Sequence, residues 1–385
     1  MTHALVFFPD YRSANPYQSL LYQHAGRDLY PRPGTIAEAL ALHRHRGVGG
    51  RVVFHLHWED AVYRNEPTEA LARQAAQAFL LALETFLEAG GALVWTLHNE
   101  APHDGRYLEL HRELVARLAQ LADVVHVHSL AGVAHARRGL GVAAARVALI
   151  QHGNYAGHYP RLGGPMAASR AGLGLGAARR VLLLFGRLGR YKGGAELLAA
   201  LAELDDPGLW LLIAGKQIDP LEPVLGQLPA AVRARTVVLD RFIPPEQVPV
   251  LFHACDLAVL PYRASLTSGT ALLALSQARP VLAPAFPGLA ELLTDGEDAI
   301  LDPSDAAGGL AAALRRLQAL DAARLAAMQA AAGARAELFD WRHGGLLLDA
   351  VYARLLAALR PQRVPAPAEP PVEAMKQPLR AVDAA

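Results

Sequence analysis

The fold is decided by the stretch Leu257-Ala-Val-Leu-Pro-Tyr-Arg-Ala-Ser-Leu-Thr-Ser-Gly-Thr-Ala-Leu-Leu-Ala-Leu-Ser-Gln-Ala-Arg-Pro-Val281. Its apolar run at 257–260 predicts a strand, and residues 271–277 predict a buried helix. The small-residue turn at 267–270 leaves the first helical amides open to an anion such as phosphate. Ser or Thr also caps helices that bind nothing, so the rest of the chain must decide between the two interpretations.

Composition limits the class of protein. The chain has 385 residues, 52% hydrophobic and 19% charged, which favours two domains of similar size. Its 37 basic and 36 acidic residues give a net charge of +1, so no overall field favours nucleic acid. The single cysteine, Cys255, excludes an intrachain disulfide, and we expect it to be a packed thiol.

The sequence shows no basic leader at its N-terminus and no apolar segment long enough to span a bilayer. We therefore expect a cytoplasmic protein, with a peripheral contact to the inner face of the membrane left open.

Short apolar runs alternate with long helical stretches over residues 1–155. The predicted helices 67–89 and 107–122 are long enough to cross over between parallel strands. The alternation therefore predicts a parallel, doubly wound sheet. The predicted strands are 4–8, 52–56, 92–97, 124–128 and 147–150.

A glycine- and proline-rich segment at 153–176 marks a boundary, after which a second alternation predicts another α/β domain over 156–335. Its predicted strands are 181–185, 210–214, 236–239, 257–260 and 281–283. Its predicted helices lie near 193–204, 225–234, 247–254, 271–277, 306–320 and 322–339. A last helix is predicted at 345–359, and the proline-rich tail 361–385 is predicted to be disordered.

A glycine-rich turn with cations follows the predicted strand 181–185. It reads Gly186-Arg-Leu-Gly-Arg-Tyr-Lys-Gly-Gly194 and leads into a helix. Glycine permits close approach of the backbone, and Arg187 and Lys192 can neutralise a diphosphate. Such cations can also be solvated turn charges, but their place between glycines after a buried strand favours the phosphate role.

Further motifs follow in order: Ile213-Ala-Gly-Lys216, the opening stretch, and Pro287-Gly-Leu-Ala-Glu291. Over residues 147–320 this series resembles the nucleotide-binding half of GT-B glycosyltransferases of the bacterial polysaccharide and lipopolysaccharide group. The resemblance implies two Rossmann-like, doubly wound α/β domains that face each other across a cleft. It also implies that a helix at about 340–360 packs back on the N-terminal domain, which binds the acceptor. The residues it assigns to the nucleotide-sugar donor are Gly186, Arg187, Lys192, Gly193, Gly215, Lys216, Tyr262, Ser268, Gly269, Thr270 and Glu291.

Aromatic and ionisable side chains follow the strands of the first domain. They lie in the motifs Asn15-Pro-Tyr-Gln18, Val53-Phe-His-Leu-His-Trp-Glu59, Val94-Trp-Thr-Leu-His-Asn-Glu-Ala-Pro-His-Asp104 and Ala122-Asp-Val-Val-His-Val-His-Ser129. These motifs resemble those of bacterial exopolysaccharide transferases, including the family of the xanthan β-mannosyltransferase. Rings and hydrogen-bonding groups suit a sugar acceptor. The predicted acceptor-binding residues are Asn15, Tyr17, His57, Trp58 and Asn99.

The catalytic mechanism is expected to be inversion. Alignment with the retaining members of the superfamily puts Ser265 and Leu273 where those enzymes have two glutamates. Inversion needs a base for the acceptor hydroxyl and cations at the departing diphosphate. Carboxylates are basic at neutral pH and are tuned by burial, so Asp104 and Glu59 are preferred. The runners-up are His98 and His103, and the other candidates are Asp10, His57 and Glu100.

Histidine pairs in two predicted strands offer a competing metal hypothesis. His55 and His57 project to one face of their strand, as do His126 and His128, so four imidazoles could surround a metal ion. Histidines at strand ends commonly form hydrogen bonds instead, and no cysteine or carboxylate spacing completes a site. GT-B enzymes generally transfer without a bound metal, so neither a metal nor a cofactor is expected.

The resemblance implies a hexosyltransferase that moves a hexose or hexuronic acid from a UDP- or GDP-sugar. The expected acceptor is a glycan or lipid-linked saccharide in exopolysaccharide or cell-surface glycan synthesis. A nucleotide-sugar 2-epimerase of the same fold is the first alternative, and it would act on the donor alone. A non-catalytic carbohydrate-binding protein is the second, and the missing glutamates favour it.

Overall fold

The computed structural model describes residues 3–26, 29–46, 51–102, 104–302 and 309–358. It divides into a first unit, Met1–His152 with Trp341–Ala385, and a second unit, Gly153–Asp340. The helix predicted at the end of the chain thus belongs with the N-terminal strands. Both His103 and the tail 361–385, predicted to be disordered, lie outside the described residues.

A parallel sheet of six strands forms the centre of the first unit, in the order β2-β1-β3-β4-β5-β6. The chain runs from β1 to β2 on one side and then returns to β3 on the other side of β1. The topological switch point, where ligands of such sheets bind, therefore lies between β1 and β3. The strands are β1 (His3–Phe8), β2 (Leu29–Pro33), β3 (Val52–Leu56), β4 (Ala92–Thr96), β5 (Val124–Val127) and β6 (Val147–Leu149).

Helices cover this sheet through apolar stripes. The longest begins after Thr68, whose side chain accepts a hydrogen bond from the Leu71 amide, and it buries residues at helical spacing from Ala72 to Phe86. The helix of residues 341–358 lies against the same unit, where Arg51 donates to the Leu356 carbonyl. The helices are α1 (Tyr17–Tyr22), α2 (Ile36–Arg46), α3 (Glu69–Glu88), α4 (Leu108–Leu121), α5 (Leu130–Ala134) and α15 (Trp341–Ala358).

The second unit contains another parallel sheet of six strands, in the order β12-β11-β10-β7-β8-β9. The chain progresses outward from β7 to β9 and then restarts at β10 on the other side of β7. Its switch point therefore lies between β7 and β10. The strands are β7 (Arg180–Phe185), β8 (Leu209–Ala214), β9 (Thr236–Leu239), β10 (Leu257–Val259), β11 (Val281–Pro284) and β12 (Ala299–Asp302).

Helices of the second unit pack against a core built around β7, β8 and β10. They are α6 (Met166–Gly172), α7 (Gly194–Leu204), α8 (Glu222–Gln227), α9 (Ala230–Ala234), α10 (Val248–Ala254), α11 (Gly269–Ser276), α12 (Pro287–Ala290), α13 (Gly309–Gln318) and α14 (Ala322–Glu337). Across the described residues, no helix combines the length and apolar character that a membrane span requires.

Three local predictions need correction. The single helix predicted at 225–234 is two helices, because Pro229 follows Leu228 in extended conformation and cannot continue α8. Strand β2 was not predicted, since it contains two prolines, Pro31 and Pro33, which an edge strand tolerates. Strand β12 was not predicted either, because its four residues are too few to show a pattern.

Candidate functional site

Lys192 lies at the switch point of the second sheet, in the turn that follows β7. Its side chain is only 5% exposed, and its Nζ donates a hydrogen bond to the carbonyl of Phe185 at 2.9 Å. A Cβ placed on Gly186 would lie 3.0 Å from this Nζ and 3.9 Å from Oγ1 of Thr270. The glycine-rich turn and the start of α11 therefore meet around one buried ammonium group.

No carboxylate pairs with Lys192 in the part of the chain that the structure describes. Aromatic rings surround it instead, with Nζ 5.3 Å from the ring centre of Tyr262 and 5.9 Å from that of Tyr191. Burial acts to lower the pKa of Lys192, but the interactions with these two tyrosines outweigh it and the pKa is raised. The side chain therefore keeps a positive charge that the described residues leave without a counter-ion.

The first turn of α11 supplies hydrogen-bond donors beside this charge. Ser268 caps the helix, and its hydroxyl accepts from the amide of Ala271 at 3.1 Å. The amides of Gly269 and Thr270 come next and find no acceptor among the described residues. This helix start therefore has the open backbone donors that an anion site requires.

Two glycines are required by close backbone contacts at the same place. Gly193 has φ +67°, and a Cβ there would lie 1.9 Å from the carbonyl oxygen of Pro261, just after β10. Gly215 has φ +140°, and its Cβ would lie 1.9 Å from the carbonyl oxygen of Gly186. Only glycine fits either position, so the ends of β7, β8 and β10 are held in contact.

The other charged residues predicted to bind the donor are more exposed than Lys192. Arg187 is exposed, and its side chain forms no hydrogen bond or ion pair with any described residue. Lys216 is 60% exposed and lies 3.5 Å from the carboxylate of Asp240. Glu291 directly follows α12 and is partly buried, and its carbonyl accepts from Arg335.

The first unit contains a cluster of six buried histidines near the carboxyl ends of β3 to β6. Both histidine pairs predicted to share a face do so: the rings of His55 and His57 are 4.2 Å apart, and those of His126 and His128 are 4.5 Å apart. We call this group the histidine cluster; its members are His55, His57, His98, His126, His128 and His152.

Hydroxyl groups connect the histidine cluster. Thr96 Oγ1 lies 2.7 Å from Nε2 of His55 and 2.9 Å from Nδ1 of His126. The Tyr22 hydroxyl lies 2.8 Å from both Nδ1 of His55 and Nε2 of His57. Within the described residues, no group of three or more metal-ligating side chains has the geometry to hold a metal ion.

Burial lowers the pKa of five of these imidazoles. It lowers the pKa of His55 to about 3 and that of His128 to about 4. For His57, His98 and His126, burial and then the neighbouring histidines lower the pKa well below its ordinary value. Each of these five rings is therefore neutral at pH 7 and offers one N–H donor and one lone pair.

Tyr17 lies at the centre of the predicted acceptor residues. Its ring centre is 5.6 Å from those of His57 and Trp58, and 5.2 Å from that of His98. Trp58 and His98 stack in parallel, 4.3 Å apart at an interplanar angle of 6°. Trp58 is partly exposed, so this stack offers a flat surface of the kind on which sugar rings pack.

The other two predicted acceptor residues are polar. The side chain of Asn15 accepts from the Tyr17 amide at 3.0 Å, so it orients the start of α1. Asn99 is partly buried and follows His98 in the loop after β4.

The two preferred candidate bases have different surroundings. Glu59 is 4% exposed, and it accepts a hydrogen bond from Trp95 Nε1 at 3.1 Å. Burial raises the pKa of Glu59 to about 7. Asp104 is partly exposed, and it accepts a hydrogen bond only from the Arg106 amide, at 3.0 Å, in the described part of the chain. Asp104 is therefore the more accessible of the two.

The remaining carboxylates fit the role less well. Asp10 accepts two hydrogen bonds from Arg12 at 2.8 Å, and this contact lowers its pKa. Glu100 is exposed and lies 3.8 Å from His135.

A relative in Xanthomonas campestris pv. campestris shows the family. It is described as a GDP-mannose:glycolipid 4-beta-D-mannosyltransferase and is 33% identical over 281 residues, 71% of this chain and 70% of that protein. Residues 179–319 also match the model of the family described as glycosyl transferases group 1. The chain belongs to this glycosyltransferase family. All the donor residues predicted from the sequence of the glycosyltransferase lie inside the matched segment.

Solved structures show the fold of the glycosyltransferase. Anabaena HepE in complex with UDP and glucose matches with a TM-score of 0.67 and 18% identity, over 93% of this chain and 100% of that one. The sucrose-phosphate synthase of Thermosynechococcus elongatus matches with a TM-score of 0.65 and 20% identity, also over 93% and 100%. The predicted fold class, GT-B, is confirmed.

Several residues that contact the histidine cluster of the glycosyltransferase were not predicted, nor was its member His152. Thr96 is an ordinary strand residue in the sequence, and Tyr22 precedes a loop. Tyr352 and Trp341 belong to α15, more than 180 residues beyond the last histidine of the cluster, so no local pattern connects them. His152 follows β6 and could have been found from its position after a predicted strand.

Proposed function

We propose that this glycosyltransferase moves a hexose from a GDP- or UDP-sugar to a lipid-linked saccharide or glycan in the synthesis of cell-surface or exported polysaccharide. The observation that carries the proposal is the buried ammonium group of Lys192 at the switch point of the second sheet. A buried charge without a counter-ion destabilises the free protein, and an anionic ligand removes that cost.

The diphosphate of the donor has the chemistry that this place requires. Its negative charge would pair with Lys192, and its oxygens would accept from the amides of Gly269 and Thr270. Arg187, which is exposed and unpaired among described residues, would contact the same diphosphate from the solvent side. Charge that develops on the leaving diphosphate during transfer would be stabilised by the same groups.

The relative from Xanthomonas supports GDP-mannose as the first donor to test and a glycolipid as the first acceptor. Its name specifies a β-linked product, and formation of a β-mannoside from an α-linked sugar nucleotide is inversion. Ser265 and Leu273 occupy the positions where retaining enzymes have two glutamates, and the absence of carboxylates there favours inversion. Leu273 is buried in α11, and the Ser265 hydroxyl donates to the carbonyl of Thr267.

Inversion leaves the acceptor hydroxyl to be activated by a base, and we assign Asp104 to this role. Its carboxylate is the accessible one of the two preferred candidates, and it follows β4 in the unit that contains the Trp58–His98 stack. A base of this kind typically contributes 10²–10⁴-fold to the rate.

Thermal unfolding with nucleotides tests the donor site. GDP, UDP, CDP, TDP and GDP-mannose are compared on the wild type, on Lys192→Met and on Arg315→Ala. Lys192→Met keeps a long side chain without the charge, while Arg315 is an exposed cation of α13 paired with Glu203. We expect one nucleotide to raise Tm in the wild type and in Arg315→Ala, and no shift in Lys192→Met.

Turnover then separates transfer from the alternatives. Release of the nucleotide only when a membrane lipid extract is added, with the sugar recovered on lipid, is the expected result. Conversion of the sugar without an acceptor would indicate an epimerase, and binding without release would indicate a non-catalytic protein. Transfer in the presence of EDTA tests the expectation that no metal is needed.

A further inference from the structure

Arg106 lies in the loop that follows β4, two residues after Asp104. Its amide donates to Asp104 Oδ1 at 3.0 Å. Its guanidinium group donates to two backbone carbonyls of another segment: Nη1 to that of Arg64 at 3.4 Å, and Nη2 to that of Glu66 at 3.1 Å. A guanidinium group is a rigid fork of donors, so it can bind two fixed oxygens at once. One residue therefore contacts both Asp104 and the segment 63–66.

The next residue, Tyr107, strengthens this contact. Its hydroxyl donates to the same Glu66 carbonyl at 2.9 Å and accepts from Nη2 of Arg106. The guanidinium group lies over the Tyr107 ring, 4.7 Å from its centre. Tyr107 has φ +51°, a backbone conformation that a tyrosine keeps only where its surroundings impose it. These contacts therefore hold the loop at the point where α4 begins.

The segment 63–66, which receives these hydrogen bonds, is connected to Trp58 by a short turn. The Arg64 amide donates to the Asp60 carbonyl at 2.9 Å, and the Arg64 guanidinium lies 3.2 Å from the Asp60 carboxylate. Arg64 also donates to the Tyr11 hydroxyl and lies over that ring, 5.2 Å from its centre. The ring of Tyr11 is in turn 5.2 Å from that of Trp58. Side-chain contacts thus fix the segment relative to Trp58.

The side chain of Arg106 is exposed, and it forms no ion pair with any described carboxylate. Its three hydrogen bonds all go to neutral oxygens. Exposed hydrogen bonds of this kind contribute little to the stability of a whole domain, but they can determine where a surface loop lies. The effect of Arg106 should therefore appear in the position of the loop and not in global unfolding.

We propose that Arg106 is a positioning residue for Asp104. By fixing the loop after β4 to the segment 63–66, it sets the distance from the Asp104 carboxylate to the exposed face of Trp58. The inference rests on the proposed function for the role of Asp104 as the base. A general base acts only within hydrogen-bond reach of the proton that it takes, and a misplacement of about 1 Å can lower the rate about 10²-fold. Arg106 thus controls transfer without contacting either substrate.

Arg106→Ala tests this role, because it removes the side-chain hydrogen bonds and leaves the backbone amide that binds Asp104. We expect kcat to fall about 10–100-fold with the KM for the donor unchanged. Arg106→Lys keeps one charged donor and should lose less. The matched control is Arg146→Ala, because Arg146 also donates to two carbonyls, those of Gln120 and Ala122, but precedes β6 at the opposite edge of the sheet. Its kcat should stay within about twofold of the wild type.

A double-mutant cycle separates positioning of Asp104 from a general structural role. In Asp104→Asn the base is absent, so adding Arg106→Ala should lower kcat by less than about twofold more. A further loss as large as that of Arg106→Ala alone would mean that Arg106 acts by another route and would overturn the inference. A wild-type kcat in Arg106→Ala beside an inactive Asp104→Asn would overturn it too, but would leave the proposed base intact. A wild-type kcat in Asp104→Asn would instead overturn the proposed base, and with it the role of Arg106.

Amide hydrogen exchange tests the contact without turnover. The amides of residues 105 and 106 donate within the loop, to the Pro102 carbonyl and to Asp104. Their exchange is expected to accelerate at least about tenfold in Arg106→Ala and to stay unchanged in Arg146→Ala, with the Tm of both variants within about 3 °C of the wild type. Unchanged exchange in Arg106→Ala would show that the loop does not depend on this side chain and would overturn the inference.

Discussion

The carbonyl oxygen of Pro261 lies 1.9 Å from the position that a Cβ on Gly193 would occupy. This contact joins the turn after β7 to the segment after β10, and it places the residue next to Lys192 against the segment that leads into α11. The positive φ of Gly193, +67°, adds a second reason why no other residue fits. The position of the buried ammonium group therefore depends on a glycine that has no side chain to contact the ligand.

Gly193→Ala should disturb the donor site and the stability together. The left-handed backbone and the clash with Pro261 are expected to lower the free energy of unfolding by more than about 2 kcal/mol and to abolish the nucleotide-induced rise in Tm. Gly226→Ala is the control, because Gly226 lies in α8 with no atom near its missing Cβ. It should raise stability by about 0.5–1 kcal/mol and keep the nucleotide effect, as measured by denaturant and thermal unfolding. A nucleotide-induced rise in Tm as large in Gly193→Ala as in the wild type would show that the donor site does not depend on this glycine.

Asp104→Asn is expected to lower kcat by about 10²–10⁴-fold, because an amide cannot take the proton of the acceptor hydroxyl. The rise in Tm with the nucleotide should stay as in the wild type, since the donor residues are untouched. Glu59→Gln is the comparison, and its kcat should stay within about threefold of the wild type because Glu59 is buried against Trp95. Steady-state kinetics with saturating donor measure kcat for both variants. A larger loss of kcat in Glu59→Gln than in Asp104→Asn would identify Glu59 as the base.

Glu59 should make stability fall as the pH rises. Burial raises its pKa from 4.5 to about 7, so its contribution is fully present below pH 4.5 and is lost as the pH rises through 7. Glu59→Gln retains an acceptor for Trp95 without the charge. Its advantage over the wild type should grow from near zero at pH 4 towards about 3 kcal/mol at pH 8, as measured by denaturant unfolding. A difference that does not change with pH would contradict the raised pKa.

The histidine cluster should make stability fall in acid. Its lowered pKa values mean that its contribution is present above pH 6.5 and is lost as the pH falls towards 4, where the unfolded chain binds protons that the folded protein excludes. A shift from 6.5 to about 4, as for His128, corresponds to about 3 kcal/mol. Unfolding of Glu59→Gln between pH 7.5 and 5 isolates this effect from the opposite one of Glu59. Constant stability over that interval would show that the imidazoles are not buried.

Most of the fold could be predicted because the central strands of both sheets are buried on both faces. Strands β3 and β7 are continuous apolar runs, and their predicted bounds agree with the structure to within one residue. The edge strand β2 alternates between partly buried and exposed residues and contains Pro31 and Pro33, so it lacks that signal. Central strands could therefore be predicted from their apolar runs, whereas this edge strand could not.

The candidate sites could be predicted only in part. Lys192 and Gly193 could be predicted because glycines and cations follow a strand, but no local pattern showed that the ammonium group is buried with no carboxylate partner among the described residues. The sequence put Glu59 and Asp104 forward together as candidate bases, and only the tertiary packing places Glu59 against Trp95. The Tyr352 hydroxyl, which lies 2.6 Å from Nδ1 of His55, belongs to α15 at the far end of the described chain.

The Thr96 hydroxyl lies between His55 and His126 and limits which residues of the histidine cluster can change independently during evolution. A substitution at Thr96 removes a partner from both imidazoles at once, so two buried hydrogen bonds are lost together. A substitution at His98 leaves both of these bonds intact. Variation should therefore be tolerated sooner at His98, while Thr96, His55 and His126 should change only as a set.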